Sequence, residues 1–320
     1  MLYIVLVSIY YVKEEAQRRE VRRAFGHYIA PELVEQLAND TDKLNLGGEI
    51  RHMSILFSDV RGFTKIAEQL RGDPENLTRL LNMYFTKMTD RIQENGGTID
   101  KYMGDAVMAF WNAPLDDPEH ARHCCDAALE MLDGVAKLNI NLAKEAEQEG
   151  RTHTPMRIGI GINTGDCLVG NFGSEHRLNY SVMGDAVNVA SRLEGQQKTY
   201  GVTVIIGRET RDLAPEYAAL ELDLIQVHGR QEPERIYGLL GRANLAESSE
   251  FEAHKQNHDA FLAAYRAQDW SAAREQLGRC RTSDRLGLEA LYDLYAARIE
   301  EYSSNPTITD WDGVYVAQNK

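Results

Sequence analysis

The stretch His52-Met-Ser-Ile-Leu-Phe-Ser-Asp-Val-Arg-Gly-Phe-Thr64 constrains this chain more than any other. It opens as an apolar run, ends in Asp59, and passes at once into a glycine-containing turn. Read as a buried strand, it delivers a carboxylate to its C-terminal end and then turns into a helix. A carboxylate so placed holds a hard cation such as Mg2+ through oxygen. The turn and the helix N-terminus offer backbone N–H groups and a positive dipole to a polyphosphate. Strands also end in Asp for solubility or helix capping. The metal-phosphate reading therefore depends on Gly104-Asp105 and on Asn188 and Arg192 further along.

The 320 residues are 43% hydrophobic and 26% charged, enough for one domain with a real core and room for a second. The formal net charge is -14, and no extended basic patch follows the first few turns. Duplex nucleic acid is excluded as an expected partner, because neutralising its phosphates needs clustered Lys and Arg. The 4 cysteines, Cys124, Cys125, Cys167 and Cys280, form no C-x-x-C pair. They suit a reducing cytosol in which buried thiols are the default.

The N-terminus departs from the rest. Residues 1–12 are apolar apart from Ser8, and Lys13, Arg18, Arg19, Arg22 and Arg23 follow. A bilayer span needs about 20 residues, and the basic flank matches the cytoplasmic side of a membrane helix. Residues 1–12 are expected to be the end of a transmembrane helix, with the remainder cytoplasmic at the cell membrane; the alternative is a short apolar helix packed on the domain. Residues 13–48 read as a signalling helix, over 13–38, and a polar linker.

A short helix is expected over 64–70 and a longer one from Asp73-Pro74, where Leu77, Leu80, Leu81, Tyr84, Phe85, Met88 and Ile92 keep helical spacing until Gly96-Gly97. Strands at 98–102 and 106–111 are joined through Met103-Gly104-Asp105-Ala106 as a tight hairpin, with the type I′ turn as its ordinary chemistry. A long helix over 118–147 is followed by strands at 156–162 and 167–172, a helix over 182–198, a strand at 202–206 and a last pair at 220–227 and 235–240. The order β-α-β-β-α-β plus additions is an α+β arrangement related to the ferredoxin-like unit. Residues 49–243 form this domain. Residues 244–320 form an all-helical appendage and tail, with helices over 251–268, 270–281 and 286–302. Ala263 to Leu277 resembles one tetratricopeptide unit, too little for a solenoid, so the appendage packs either on the first domain or on a partner subunit.

In the ferredoxin-like arrangement the first strand neighbours the 98–111 hairpin, so Asp59 and Asp105 reach one pair of cations. Two carboxylates sharing two metals activate a hydroxyl and shield a leaving pyrophosphate. Asn188 and Arg192 stand i and i+4 on one helix face among Ala186, Val187, Val189 and Ala190. A guanidinium beside an amide on such a face fits a charge-dense ligand.

Together, Phe57-Ser-Asp-Val-Arg-Gly-Phe-Thr64, Asp100-Lys-Tyr-Met-Gly-Asp105 and Tyr180-Ser-Val-Met-Gly-Asp-Ala-Val-Asn-Val-Ala-Ser-Arg-Leu-Glu194 resemble the class III nucleotidyl cyclases. The resemblance covers residues 25–240, with all motifs in order, and the wider chain is similar to bacterial membrane-bound adenylate cyclases in which an extracytoplasmic sensor, not part of this chain, precedes the catalytic domain. It implies that Asp59 and Asp105, with Val60 between strand and turn, bind two Mg2+ or Mn2+ ions. It sets Gly62, Phe63 and Thr64 against the triphosphate, Lys101 and Ser181 against the purine, Asn188 on the ribose and Arg192 on the charge that develops at the phosphates. Relatives specific for GTP carry an acidic residue where Lys101 stands, which points to ATP. Val227-His-Gly-Arg230 stands where the family has Val-Lys-Gly-Lys; Arg230 keeps the charge for the triphosphate, and His228 departs from the pattern. The resemblance further implies a homodimer with two composite sites and the conversion of ATP to cyclic AMP and pyrophosphate. The rival readings are a guanylate cyclase and a catalytically silent regulatory scaffold.

Overall fold

The computed structural model describes residues 48–151, 153–174, 177–226, 233–304 and 313–316. The expected membrane segment at 1–12, the signalling helix at 13–38, and His228 and Arg230 lie outside the described residues. Among the described residues, no helix is long and apolar enough to cross a membrane.

The apolar run is strand β1 (Gly48–Val60), and it begins at Gly48, where the sequence suggested linker. It is flanked on both sides by antiparallel neighbours, β3 (Ala106–Trp111) and the long β4 (Ile158–Ser174). β2 (Thr98–Met103) completes the order β2-β3-β1-β4, the ferredoxin-like sheet that the sequence predicts. Helices cover both faces, which is why β1 is apolar rather than alternating. Leu56 and Val60 face a core built with Tyr84, Met88 and Ile92 of α2 (Pro74–Glu94) and with the apolar stripe of α3 (His120–Gln148). Met53 and Ile55 face the opposite way, toward Ala186 and Ala190 of α4 (Asp185–Tyr200). Asp59 shares the parity of Met53 and Ile55 and so belongs to the α4 side. The short α1 (Phe63–Gln69) links β1 to α2, which starts on Pro74 behind Asp73, whose side chain accepts the Asn76 N–H at 3.1 Å.

Two sequence expectations are corrected here. Strands expected at 156–162 and 167–172 are one strand, because the polar residues between them are satisfied inside the layers. Thr164 Oγ1 lies 2.8 Å from Ser54 Oγ and 2.9 Å from Thr210 Oγ1, and Asn163 donates to the Ala186 carbonyl at 3.3 Å. The helix expected from 182 begins at Asp185, because 177–183 is strand β5 (Arg177–Met183), paired antiparallel to the far end of β4. β4 carries β5 back over the β2–β3 face, where the Tyr180 and Phe110 rings stand 6.1 Å apart. Helix α4 lies hard against β4 at Gly161, where any Cβ would come within 2.2 Å of the Glu194 backbone nitrogen and 2.4 Å of the Ala190 carbonyl.

The sheet extends through β6 (Val204–Gly207), β8 (Glu234–Gly241) and β7 (Ala218–Gln226), with α5 (Arg208–Leu213) and α6 (Ala243–Ala246) as short connectors. Helices α7 (Ser249–Arg266), α8 (Trp270–Ser283) and α9 (Glu289–Ser304) pack on this half. Their Phe261, Leu262, Tyr265 and Tyr295 share one core with Val189, Leu193 and Tyr200 of α4 and Leu222 of β7. The appendage thus packs on the same chain's sheet. A short β9 (Tyr315–Val316) pairs in parallel with β7. The whole is an α+β fold with a mixed sheet and a helical C-terminal region.

Candidate active site

Asp59 and Asp105 meet. β1 delivers Asp59 to its end, and the two-residue turn between β2 and β3 delivers Asp105. That turn places Gly104 at φ 67°, with no positive φ at Asp105, so the hairpin follows the II′ rather than the expected I′ pattern. The two carboxyl groups face each other, and the Val60 N–H donates to Asp59. Burial, then the charge of Asp105 and, less strongly, of Glu194 push Asp59 up to about 6 from the usual 3.8. No cationic side chain is paired with either aspartate among the described residues. Two half-buried carboxylates crowded together without a counter-charge are a donor set that a hard dication satisfies. The donor set is oxygen only, and among the described residues no group of three or more His, Cys, Asp or Glu gathers to cage a metal.

Glu194, on α4, was missed by sequence reasoning. Burial raises it most, Gln197 donates to it at 2.7 Å, and it feels the charges of Arg61 and Asp105. The signal was available in its position two residues after Arg192, on the opposite side of the helix from the functional face. Beyond Asp59, Gly62 adopts φ 69° ahead of α1, whose N-terminus no side chain caps; Thr64 is exposed and Phe63 packs partly into the core. Val60 is itself core, 2% exposed.

A second cluster forms around Lys101. Lys101 Nζ stands 3.2 Å from Asp100 Oδ1, and the Ser181 hydroxyl donates to Asp100 Oδ2 at 2.7 Å. Lys101 and Ser181, 80 residues apart in sequence by number, thus meet through a carboxylate to which the sequence reading gave no role. Its signal was the polar Asp100-Lys101 pair, which breaks the alternation of a strand.

Asn188 is exposed and Arg192 half-buried on α4. Neither forms a hydrogen bond or ion pair with any described residue. The structure brings Asp59 to Asp105 and Lys101 to Ser181, and leaves Asn188 and Arg192 unengaged on one helix face. A groove of about 880 Å3 between α2 and α3 is lined by Arg79, Lys87, Lys137 and Arg242, among others, and by no residue of either cluster.

Comparison with known proteins follows the same residues. The profile of the adenylate and guanylate cyclase catalytic domain matches residues 48–241. An adenylate cyclase of Anabaena cylindrica is 36% identical over 224 residues, covering 68% of this chain and 41% of that protein. The solved guanylyl cyclase Cya2 is 34% identical with a TM-score of 0.53, over 61% of this chain and 95% of that one. The adenylyl cyclase CyaB from P. aeruginosa is 32% identical with a TM-score of 0.53, over 61% and 96% respectively. The chain spans less than half the length of the curated relatives it matches.

Proposed function

The chain belongs to the class III adenylate and guanylate cyclase catalytic domain family, and from that membership we propose that it converts ATP to 3′,5′-cyclic AMP and pyrophosphate at sites shared between two copies of itself. The observation that carries the reading is the Asp59–Asp105 pair, half-buried, mutually repelling and without a cationic partner among the described residues. Asp59 and Asp105, with the backbone at Val60, would hold two Mg2+ or Mn2+ ions; when bound, these supply Lewis-acid activation of the ribose 3′-hydroxyl and neutralise charge on the triphosphate.

The remaining roles belong to the chain. The uncapped turn at Gly62, Phe63 and Thr64 offers N–H groups to the phosphates. Lys101 and Ser181 read the purine edge. Asn188 orients the ribose, so that the 3′-oxygen approaches the α-phosphorus in line with the bond to the departing pyrophosphate. Arg192, unengaged among the described residues, meets the negative charge that grows on the phosphate oxygens. The 3′-hydroxyl proton passes to solvent or to a nearby carboxylate, such as Glu194, whose charge Asp59 feels. Arg230, outside the described residues, is kept for the triphosphate.

The dimer reading has two supports. Asn188 and Arg192 have no partner within the described chain, although a guanidinium on a small-residue helix face is poised for one. Apolar side chains also lie bare along one ladder, where Ile50 (76% exposed) pairs with Leu168, and Leu168 with Met183. Anchoring at the cell membrane through residues 1–12, with the catalytic part in the cytoplasm, completes the proposal.

Complementation tests it. Asp59→Ala and Arg192→Ala should each be inactive alone. Mixed in equal amounts they should recover about a quarter of normal turnover, since half the dimers formed at random carry one intact site of two. Two inactive variants that stay inactive when mixed, in a chain that dimerises, contradict the shared site. A second reading is a guanylate cyclase: identity to the solved guanylyl and adenylyl enzymes is 34% and 32%, which does not separate them. Competition between ATP and GTP for turnover decides it.

A further inference from the structure

Asp100 stands between the two side chains set against the purine. Its side chain is 1% exposed, its Oδ2 accepts the Ser181 hydroxyl at 2.7 Å, and its Oδ1 faces Lys101 Nζ at 3.2 Å. The backbone is built to bring this about. Ile99 pairs with Ala109 and Lys101 with Met108, leaving Asp100 as the extra residue of a β-bulge. In a regular strand Asp100 and Lys101 would point to opposite faces. The bulge re-aims Asp100, which reaches Ser181 on the arm formed by β5 and keeps Lys101 at its other oxygen.

The consequence is a fixed polarity. A serine hydroxyl has one proton and two lone pairs, and an ionised carboxylate only accepts. With its proton given to Asp100, Ser181 has nothing left to offer a ligand except lone pairs. The Lys101 ammonium has three protons and only an ion pair, at 3.2 Å, with Asp100, so it still donates. The pair therefore presents an acceptor beside a donor. The edge of adenine, a 6-amino donor next to the N1 acceptor, is the complement. The edge of guanine, an O6 acceptor next to an N1–H donor, sets lone pair against lone pair at Ser181. We propose that Asp100 is a specificity-determining positioning residue, which by fixing Ser181 as an acceptor selects a 6-aminopurine nucleotide over a 6-oxopurine one. The inference rests on the proposed function only in assigning Lys101 and Ser181 to the purine.

The near-isosteric Asp100→Asn is the sharpest test. Its amide nitrogen can donate to Ser181, which frees the serine proton to face the base. The full chain, Asp100→Asn, Ser181→Ala and the double variant are compared with ATP and GTP in Mn2+, with kcat and KM separated, and with binding of non-hydrolysable ATP and GTP analogues measured in parallel. The expected result is that Asp100→Asn lowers the ATP-to-GTP ratio of kcat/KM at least tenfold, mostly through KM, and that the change shrinks to less than about twofold in the Ser181→Ala background, as coupled residues require. Equal losses for both nucleotides, or the same shift in both backgrounds, overturn the inference, as does a parent chain that prefers GTP. If Asp100→Asn does not fold, Ser181→Ala carries the test: it must erode the preference for ATP, and an unchanged ratio overturns the proposal. Failure of the cyclase reading is distinguishable. A chain that turns over neither nucleotide, yet binds the ATP analogue in preference and loses that preference in Asp100→Asn, refutes the activity and retains the role of Asp100.

Discussion

Two aspartate sites in this chain are opposites. Asp223, on β7, is saturated: Arg298 Nη1 donates to it at 2.7 Å, the Tyr200 hydroxyl at 2.8 Å and the Leu224 N–H at 2.8 Å. The Arg298 guanidinium lies 3.7 Å from the centre of the Tyr315 ring, and both members of the ion pair are almost wholly buried. Asp59 and Asp105 have each other and the Val60 N–H, and no cationic partner among the described residues. The first cluster knits α9 and β9 to β7 and to the last residue of α4; its charge is finished. The second is unfinished, and an unfinished charge in a half-buried place is where a ligand belongs. Residue type is the same in both; what differs is burial and the supply of partners.

Substituting both sites should break the symmetry of effect. Asp59→Ala is expected to lower cyclic nucleotide formation by at least about a thousandfold, on the order of 4 kcal/mol of transition-state stabilisation, while melting temperature holds or rises because a repulsion is removed. Asp223→Ala should do the reverse. It leaves Arg298 buried without its partner, at a cost of about 3–5 kcal/mol in denaturant unfolding. The double variant Asp223→Leu, Arg298→Met should cost less than Asp223→Ala alone, because no charge is left stranded.

A smaller effect sharpens the role of α4, which touches both clusters. Gly161→Ala must push α4 off β4, since the new methyl meets the helix backbone rather than a yielding side chain. It should lower stability by about 1–3 kcal/mol and lower turnover through displaced Asn188 and Arg192, read as kcat falling more than KM rises.

The smallest effect is a pH slope. With Asp59 near 6 in the folded chain and 3.8 in the unfolded one, the folded state holds the extra proton between those values. Stability of the metal-free chain should therefore fall as pH rises from about 4 to about 6, and level off above. Mn2+ replaces the proton, so with the metal present stability should rise with pH instead. Melting curves across that range check both signs, and Asp59→Asn should flatten the metal-free slope.

Much of this was legible from the residues. The apolar run ending in Asp59, the hairpin carrying Asp105 and the Asn188 to Arg192 face follow from local rules of alternation, turn chemistry and helical spacing, and the three C-terminal helices from periodicity. What local rules miss is satisfaction at a distance. Asn163 and Thr164 read as a break, yet they continue β4 because Ala186, Ser54 and Thr210 meet their polar atoms across the layers. Asp100 read as an ordinary strand residue, and its meaning depends on Ser181, which β4 must travel 17 residues to bring back through β5. The Asp223–Arg298 pair joins residues 75 apart and left no periodic trace.

The most direct test of the central claim is cyclic nucleotide formation by the purified chain with Mn2+ and ATP or GTP over a series of protein concentrations. The account predicts cyclic AMP, with specific activity that rises with concentration as dimers form and vanishes in Asp59→Ala. A folded chain that dimerises and binds Mn2+, yet yields neither cyclic AMP nor cyclic GTP, would contradict it.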